Sequence, residues 1–121
     1  MTVMISQPMY GKTNEQIRRE RADVVKRLEA DGFEVIDNII SENPPRNSDE
    51  AMFYLAKSIE LMSTVDVVYF MHGWHKARGC MIEHQICQNY GKQTMYTWYD
   101  SEDKEELYKE LKKQIHLACE E

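Results

Sequence analysis

The run Val65-Asp66-Val67-Val68-Tyr69-Phe70-Met71, followed by HGWHKARGCMIEH over residues 72–84, decides the fold of this chain. Its first seven residues are almost continuously apolar, rich in β-branched and aromatic side chains, and too few for a buried helix. A strand covered on both faces has this composition, which makes it the central strand of a mostly parallel sheet lying between helical layers. The thirteen residues after it hold three histidines, two glycines, Trp74, Arg78, Cys80 and the carboxylate Glu83. The spacing predicts a turn and then a helix from about residue 76 to residue 90, stopped by Gly91.

Outward from this centre the pattern repeats. Residues 2–6 (TVMIS) read as a first strand, and SQPMYGK (6–12), broken by Pro8 and Gly11, as the loop that leaves it. Thr13 with Gln16 three positions later is a capping box for a helix over about 14–31, with Gly32 as its stop. Residues 33–37 read as a second strand, and 38–50, with Pro44 and Pro45, as a surface loop. Ser48 is placed to cap a second helix ending near Ser63, residues 93–97 form a fourth strand, and Ser101 caps a last helix with Leu107, Leu111, Ile115 and Ala118 on one face.

Strands alternating with helices imply right-handed βαβ crossovers. The expected architecture is a three-layer, flavodoxin-like α/β domain spanning residues 1–121, with a mostly parallel sheet of four or five strands in the order 2-1-3-4. Its crevice opens at the carboxyl ends of the first and third strands, where the winding reverses. SQPMYGK and HGWHKARG leave those two strands, so the two chemically richest loops face each other.

Composition narrows the function. The chain is 42% hydrophobic and 30% charged with a net charge of −6, and acidic residues crowd its last twenty positions. Duplex nucleic acid and anionic membranes are poor partners for such a surface, whereas a small anionic ligand needs only a few local cations such as Lys12 or Arg78. Cys80, Cys87 and Cys119 form no CxxC spacing, and no apolar stretch approaches a membrane span, so a reducing cytoplasm is the expected setting.

Glu83 falls in the second turn of the predicted third helix, beside the crevice, where a partly desolvated carboxylate serves as nucleophile or general base. An ordinary surface glutamate is the plain alternative. Gly73 and Gly79 offer positive φ or close backbone approach, and equally they simply make a tight turn. Trp74 and Tyr10 suit stacking on a base, or for Trp74 a hydrophobic plug. The intervals of three, five and four residues from His72 to His75, Cys80 and His84 match no common zinc signature, so neither metal nor cofactor is expected. Asp66, at the head of the central strand, suits satisfying backbone donors better than catalysis.

ISQPM with Gly-Lys shortly after, Asp-Val-Val in the central strand, then Gly-Trp, Arg-Gly and Glu83 three residues beyond Cys80 together resemble the nucleoside 2-deoxyribosyltransferase-like superfamily. The resemblance is nearest to its small bacterial and phage members grouped as a domain of unknown function. It runs from Met4 to about Thr97 and implies cleavage of an N-glycosidic bond in a nucleoside or deoxynucleotide. Glu83 would attack the anomeric carbon, and Ser6, Gln7, Met9 and Lys12 would line the sugar and base pocket with Trp74. The turn from Ala77 through Arg78 to Gly79 would approach the 5′ group. It also implies a homo-oligomer in which a neighbouring subunit helps complete the site. Two positions depart from the pattern: Ser58 stands where active relatives carry an aspartate, and Ala77 where phosphate-binding hydrolases carry a serine. A nucleotide-binding or sensing domain without catalysis, acting through assembly, is the alternative those departures allow.

Overall fold

The computed structural model describes residues 1–97. The last helix expected from Ser101 lies outside them. The described elements are β1 (Thr2–Ser6), α1 (Asn14–Ala30), β2 (Glu34–Ile36), α2 (Glu50–Met62), β3 (Val67–Phe70), a short 3-10 turn (Trp74–Lys76), α3 (Arg78–Tyr90) and β4 (Gln93–Tyr96). The four strands form one parallel sheet in the order β2-β1-β3-β4, as the sequence pattern requires.

Strand parity sorts the core into two layers. Val3 and Ile5 of β1 join Val67 and Tyr69 of β3 under Leu28, Val24 and Val25 of α1. Met4, Val68 and Phe70 point the other way, into a cluster with Met62 and Ile59 of α2, Cys80 and Cys87 of α3, and Trp74. Successive side chains of a strand face opposite sides, so a helical layer on each face makes the middle of β1 and all of β3 buried on both faces.

Local chemistry sets the ends of the elements. Thr13 accepts from the Gln16 amide at 3.1 Å while the Gln16 side chain accepts from the Thr13 amide at 2.8 Å, the reciprocal box expected for α1. The cap of α2 is Asp49, one residue beyond the expected Ser48. Asp49 accepts from the Met52 amide at 3.0 Å, and Ser48 instead donates its hydroxyl to the Pro45 carbonyl at 2.6 Å. A carboxylate is the stronger acceptor at a positive helix end, and the Pro45 turn occupies the serine.

The expected turn and third helix are present, with the helix starting two residues later, at Arg78. Gly73 at φ 86° starts a 3-10 turn, extended Ala77 separates it from α3, and Gly91 at φ 68° closes α3. Asp66 ties the amino ends of β3 and β1 by accepting from the Thr2 amide at 2.8 Å and the Thr2 hydroxyl at 3.0 Å. Those bonds hold its carboxyl below the usual range. Asp66 thus braces the end of the sheet opposite the crevice, as its plain reading expected.

Candidate functional site

The carboxyl end of β1 reverses direction of use within two residues. Ser6 shares the parity of Met4 and faces α2 and α3; Gln7 shares that of Ile5 and faces α1. The Ser6 hydroxyl donates to Glu83 Oε1 at 3.3 Å, and the Ser58 hydroxyl of α2 donates to Glu83 Oε2 at 2.8 Å. Three elements remote in sequence therefore meet on one carboxylate, beside the Ser6–Phe70 pair that ends β1 and β3. This is the switch point, since the chain leaves β1 for one edge of the sheet and β3 for the other.

Glu83 is 6% exposed. Burial pushes its carboxyl pKa up, and the donors Ser58 and Ser6 oppose that by favouring the anion. The carboxylate is thus weakly solvated, held by two hydroxyls, and more basic than an ordinary glutamate. That combination suits a nucleophile or a proton acceptor. The surrounding thiols do not compete for either role. Burial pushes Cys80 to about 12 and Cys87 to about 11, which overrides the lowering that a helix start gives an exposed thiol.

Gly79 supplies room. It lies one turn before Glu83 on the same face of α3, and side chains of a helix lean toward its amino end. Among the described residues, a Cβ built on Gly79 meets no atom within 4 Å outside its own helical turn, so none of them obstructs the face of α3 toward which Glu83 leans. Its φ is not positive, so the left-handed turn belongs to Gly73 and not to Gly79. Gly79→Leu is expected to leave the melting temperature within about 2 °C of wild type while blocking ligand at Glu83. Thermal melts paired with binding titrations check it, and unimpaired binding would show that ligand does not pass over Gly79.

The other predicted residues fall out as follows. Trp74 is wholly buried, stacked on His84 with centroids 4.2 Å apart and packed on Phe70 at 5.2 Å. Its face is occupied, so the plug reading replaces the base-stacking one. Gln7 is engaged at both ends of its amide: its Oε1 accepts from Arg21 Nε at 2.8 Å and its Nε2 donates to the Ile17 carbonyl at 3.1 Å. Lys12 pairs with Glu20 at 2.8 Å, a bond that holds the Glu20 carboxyl below its usual range. Met9 is half-buried, and Arg78 is exposed at the first position of α3. Ser6 and Gly79 therefore accompany Glu83, while Gln7 and Trp74 support the site from within.

The histidines diverge. His84 turns about 100° from Glu83 around the helix and meets the Tyr96 hydroxyl at 2.7 Å inside the aromatic cluster. His75 is buried beside Trp74, and His72 is exposed. Among the described residues no three His, Cys, Asp or Glu side chains converge on a point that would hold a metal. No helix among them is long and apolar enough to cross a membrane.

Ser58, expected only as the residue in place of an aspartate, is a donor to Glu83. Arg21 and Asn38, which no sequence motif singles out, are buried behind the first loop. Both Ser58 and Arg21 carry a sequence signal, a polar residue on an otherwise apolar helical face.

A family model described as Domain of unknown function (DUF4406) matches residues 1–96. No curated protein and no solved structure matches the chain.

Proposed function

The chain belongs to the DUF4406 family, and from that starting point we propose that it cleaves the N-glycosidic bond of a nucleoside or deoxynucleotide, with Glu83 as nucleophile. The observation that carries this reading is the carboxylate itself: buried at the switch point, with each oxygen held by a hydroxyl from a different element. In the proposed step a Glu83 oxygen bonds to C1′ as the C1′–N bond breaks, and the electron pair leaves with the base. A proton delivered to the base completes its departure. Water or a second base then attacks C1′ and releases the carboxylate.

Several features support this chemistry. Ser6 and Ser58 fix the carboxylate's orientation, and an anchored nucleophile needs little reorganisation at the moment of attack. The bare face at Gly79 leaves space for a sugar. No side chain caps the start of α3, so its first amides and the exposed Arg78 are available to an anionic 5′ group. The resemblance set out from ISQPM, Gly-Trp, Arg-Gly and Glu83 supplies the reaction class.

The second reading, a nucleotide-binding domain without turnover, is favoured by Ser58. A hydroxyl orients Glu83 but does not replace an aspartate as a proton carrier. Incubation with a panel of deoxynucleosides and their monophosphates, with chromatography of the free base, separates the two. Base release is expected; saturable nucleotide binding without any release would replace the enzyme with the sensor.

Self-association belongs to the same reading. Met52 and Tyr54 on α2 and Ile82 on α3 are exposed on the two helices that carry Ser58 and Glu83. Sedimentation is expected to give a mass above the monomer's, and a monomer at all concentrations would remove assembly from the account.

A further inference from the structure

Behind the site lies a buried cation that the proposed chemistry does not use. Arg21 of α1 donates from Nε to Gln7 Oε1 at 2.8 Å and from Nη1 to Asn38 Oδ1 at 2.8 Å, and Nη2 is buried without a partner among the described residues. No carboxylate touches the guanidinium among the described residues; Asp37 and Arg18 act on it only through space. Asn38 passes the link on by donating to the Ile5 carbonyl at 2.7 Å. Burying a charge against two neutral amides, with one donor unsatisfied, is a costly way to fill a helix face that leucine or valine would fill at no such cost. Local violations of this kind concentrate where a site must be held.

The arrangement grips β1 from both sides. Ile5 and Gln7 are held from the α1 side by Asn38 and Arg21. Ser6, between them, reaches to the opposite side and donates to Glu83. A shift of the Gln7 backbone by a few tenths of an ångström would lengthen a 3.3 Å hydrogen bond past usefulness.

We propose that Arg21 is a positioning residue for the Glu83 site: through Gln7 and Asn38 it fixes the carboxyl end of β1, and with it the Ser6 hydroxyl. Its importance for turnover rests on the reading of Glu83 as nucleophile, whereas the mechanical link does not.

The test reads Glu83 directly, by following its side-chain carboxyl in the 13C NMR spectrum of the labelled full chain across a pH titration. Among the described residues Cys80 and Cys87, which sense Glu83, are thiols kept neutral by burial, and the adjacent His84 is followed separately in the same titration, so the residue-specific carboxyl signal assigns the Glu83 midpoint. Ser6→Ala is expected to move the midpoint upward by about half a unit or more, because an anion-favouring donor is lost. Arg21→Met should reproduce most of that shift, and Arg21→Lys, which reaches one amide but not both, should fall between it and wild type. The double variant Ser6→Ala with Arg21→Met should shift no further than Ser6→Ala alone.

An Arg21→Met protein that melts lower yet titrates as wild type would make Arg21 a core residue only and overturn the proposal. Where Arg21→Met does not fold, Gln7→Met cuts the same link from its other end, and a wild-type titration there overturns it equally. Failure of base release leaves this titration unaffected, so the two claims fail separately.

Discussion

Glu83→Gln is expected to lose base release by about 10³-fold or more while melting above the wild type at neutral and alkaline pH. An amide has no anionic oxygen to give to C1′, and the Cys80 thiol, which Ser6 also reaches, is kept neutral by burial. The stability gain follows from the same burial. Desolvation pushes the Glu83 carboxyl above its ordinary range, so between the unfolded and folded pKa values the native protein holds a proton that the unfolded chain has released. Stability contributed by that proton is complete below the ordinary glutamate range and is lost as pH rises through the folded value. Glutamine copies the protonated acid and keeps its neutrality at every pH. One of Ser6 and Ser58 goes on donating, to its amide oxygen, while the other accepts from its amide nitrogen, because a hydroxyl does both. The melting advantage should therefore vanish in acid and grow through the carboxyl range. A variant that melts below wild type across that range would mean that the hydroxyls, not burial, dominate Glu83.

Trp74→Ala is expected to cost about 3–5 kcal/mol of stability, a drop in melting temperature of roughly 10 °C or more. Trp74 is fully buried and meets Phe70, His84 and Tyr96 within one aromatic cluster. Removing it empties the corner where β3 passes into α3, which is the scaffold that aims Glu83. Trp74→Phe should cost much less, because an aromatic ring stays and the indole N–H, buried without a partner among the described residues, is removed. Circular dichroism melts of the two variants decide the matter. A Trp74→Ala protein that melts normally but loses nucleotide affinity would restore the stacking role that burial argues against.

The sheet order and the switch point were legible because they rest on patterns that no tertiary contact overrides. The apolar run from Val65 to Met71 demanded cover on both faces, and the alternation of strand and helix demanded right-handed crossovers. The Thr13–Gln16 box fixed the start of α1 for a similar reason, since both of its hydrogen bonds are local. The cap of α2 slipped by one residue because Ser48 and Asp49 are both good caps, and only the Pro45 turn decides between them.

The site was half legible. Glu83 and Ser6 stood at the ends of the right elements, but a glutamate's solvation depends on what three other segments do around it. Ser58 shows the limit. It interrupts the apolar face formed by Leu55, Ile59 and Met62, a sign that something polar lies opposite, yet the sequence does not say what. Arg21 interrupts the face of Ile17, Val24 and Leu28 in the same way. Its partners, Gln7 and Asn38, sit in two different loops that meet only once β1 and β2 pair in register. Trp74 and Gln7 share a different limit: their partners are tertiary, His84 and Phe70 covering the indole and Arg21 and the Ile17 carbonyl engaging the amide, and residue type alone shows neither.

The central claim is that Glu83 bonds covalently to the sugar. Rapid quenching of the enzyme during turnover, followed by intact mass and peptide mapping, tests it most directly. The account predicts one added glycosyl group on the peptide containing Glu83, carried on that residue and absent from Glu83→Gln. Base release at full rate with no adduct, or with the adduct on another residue, would contradict it.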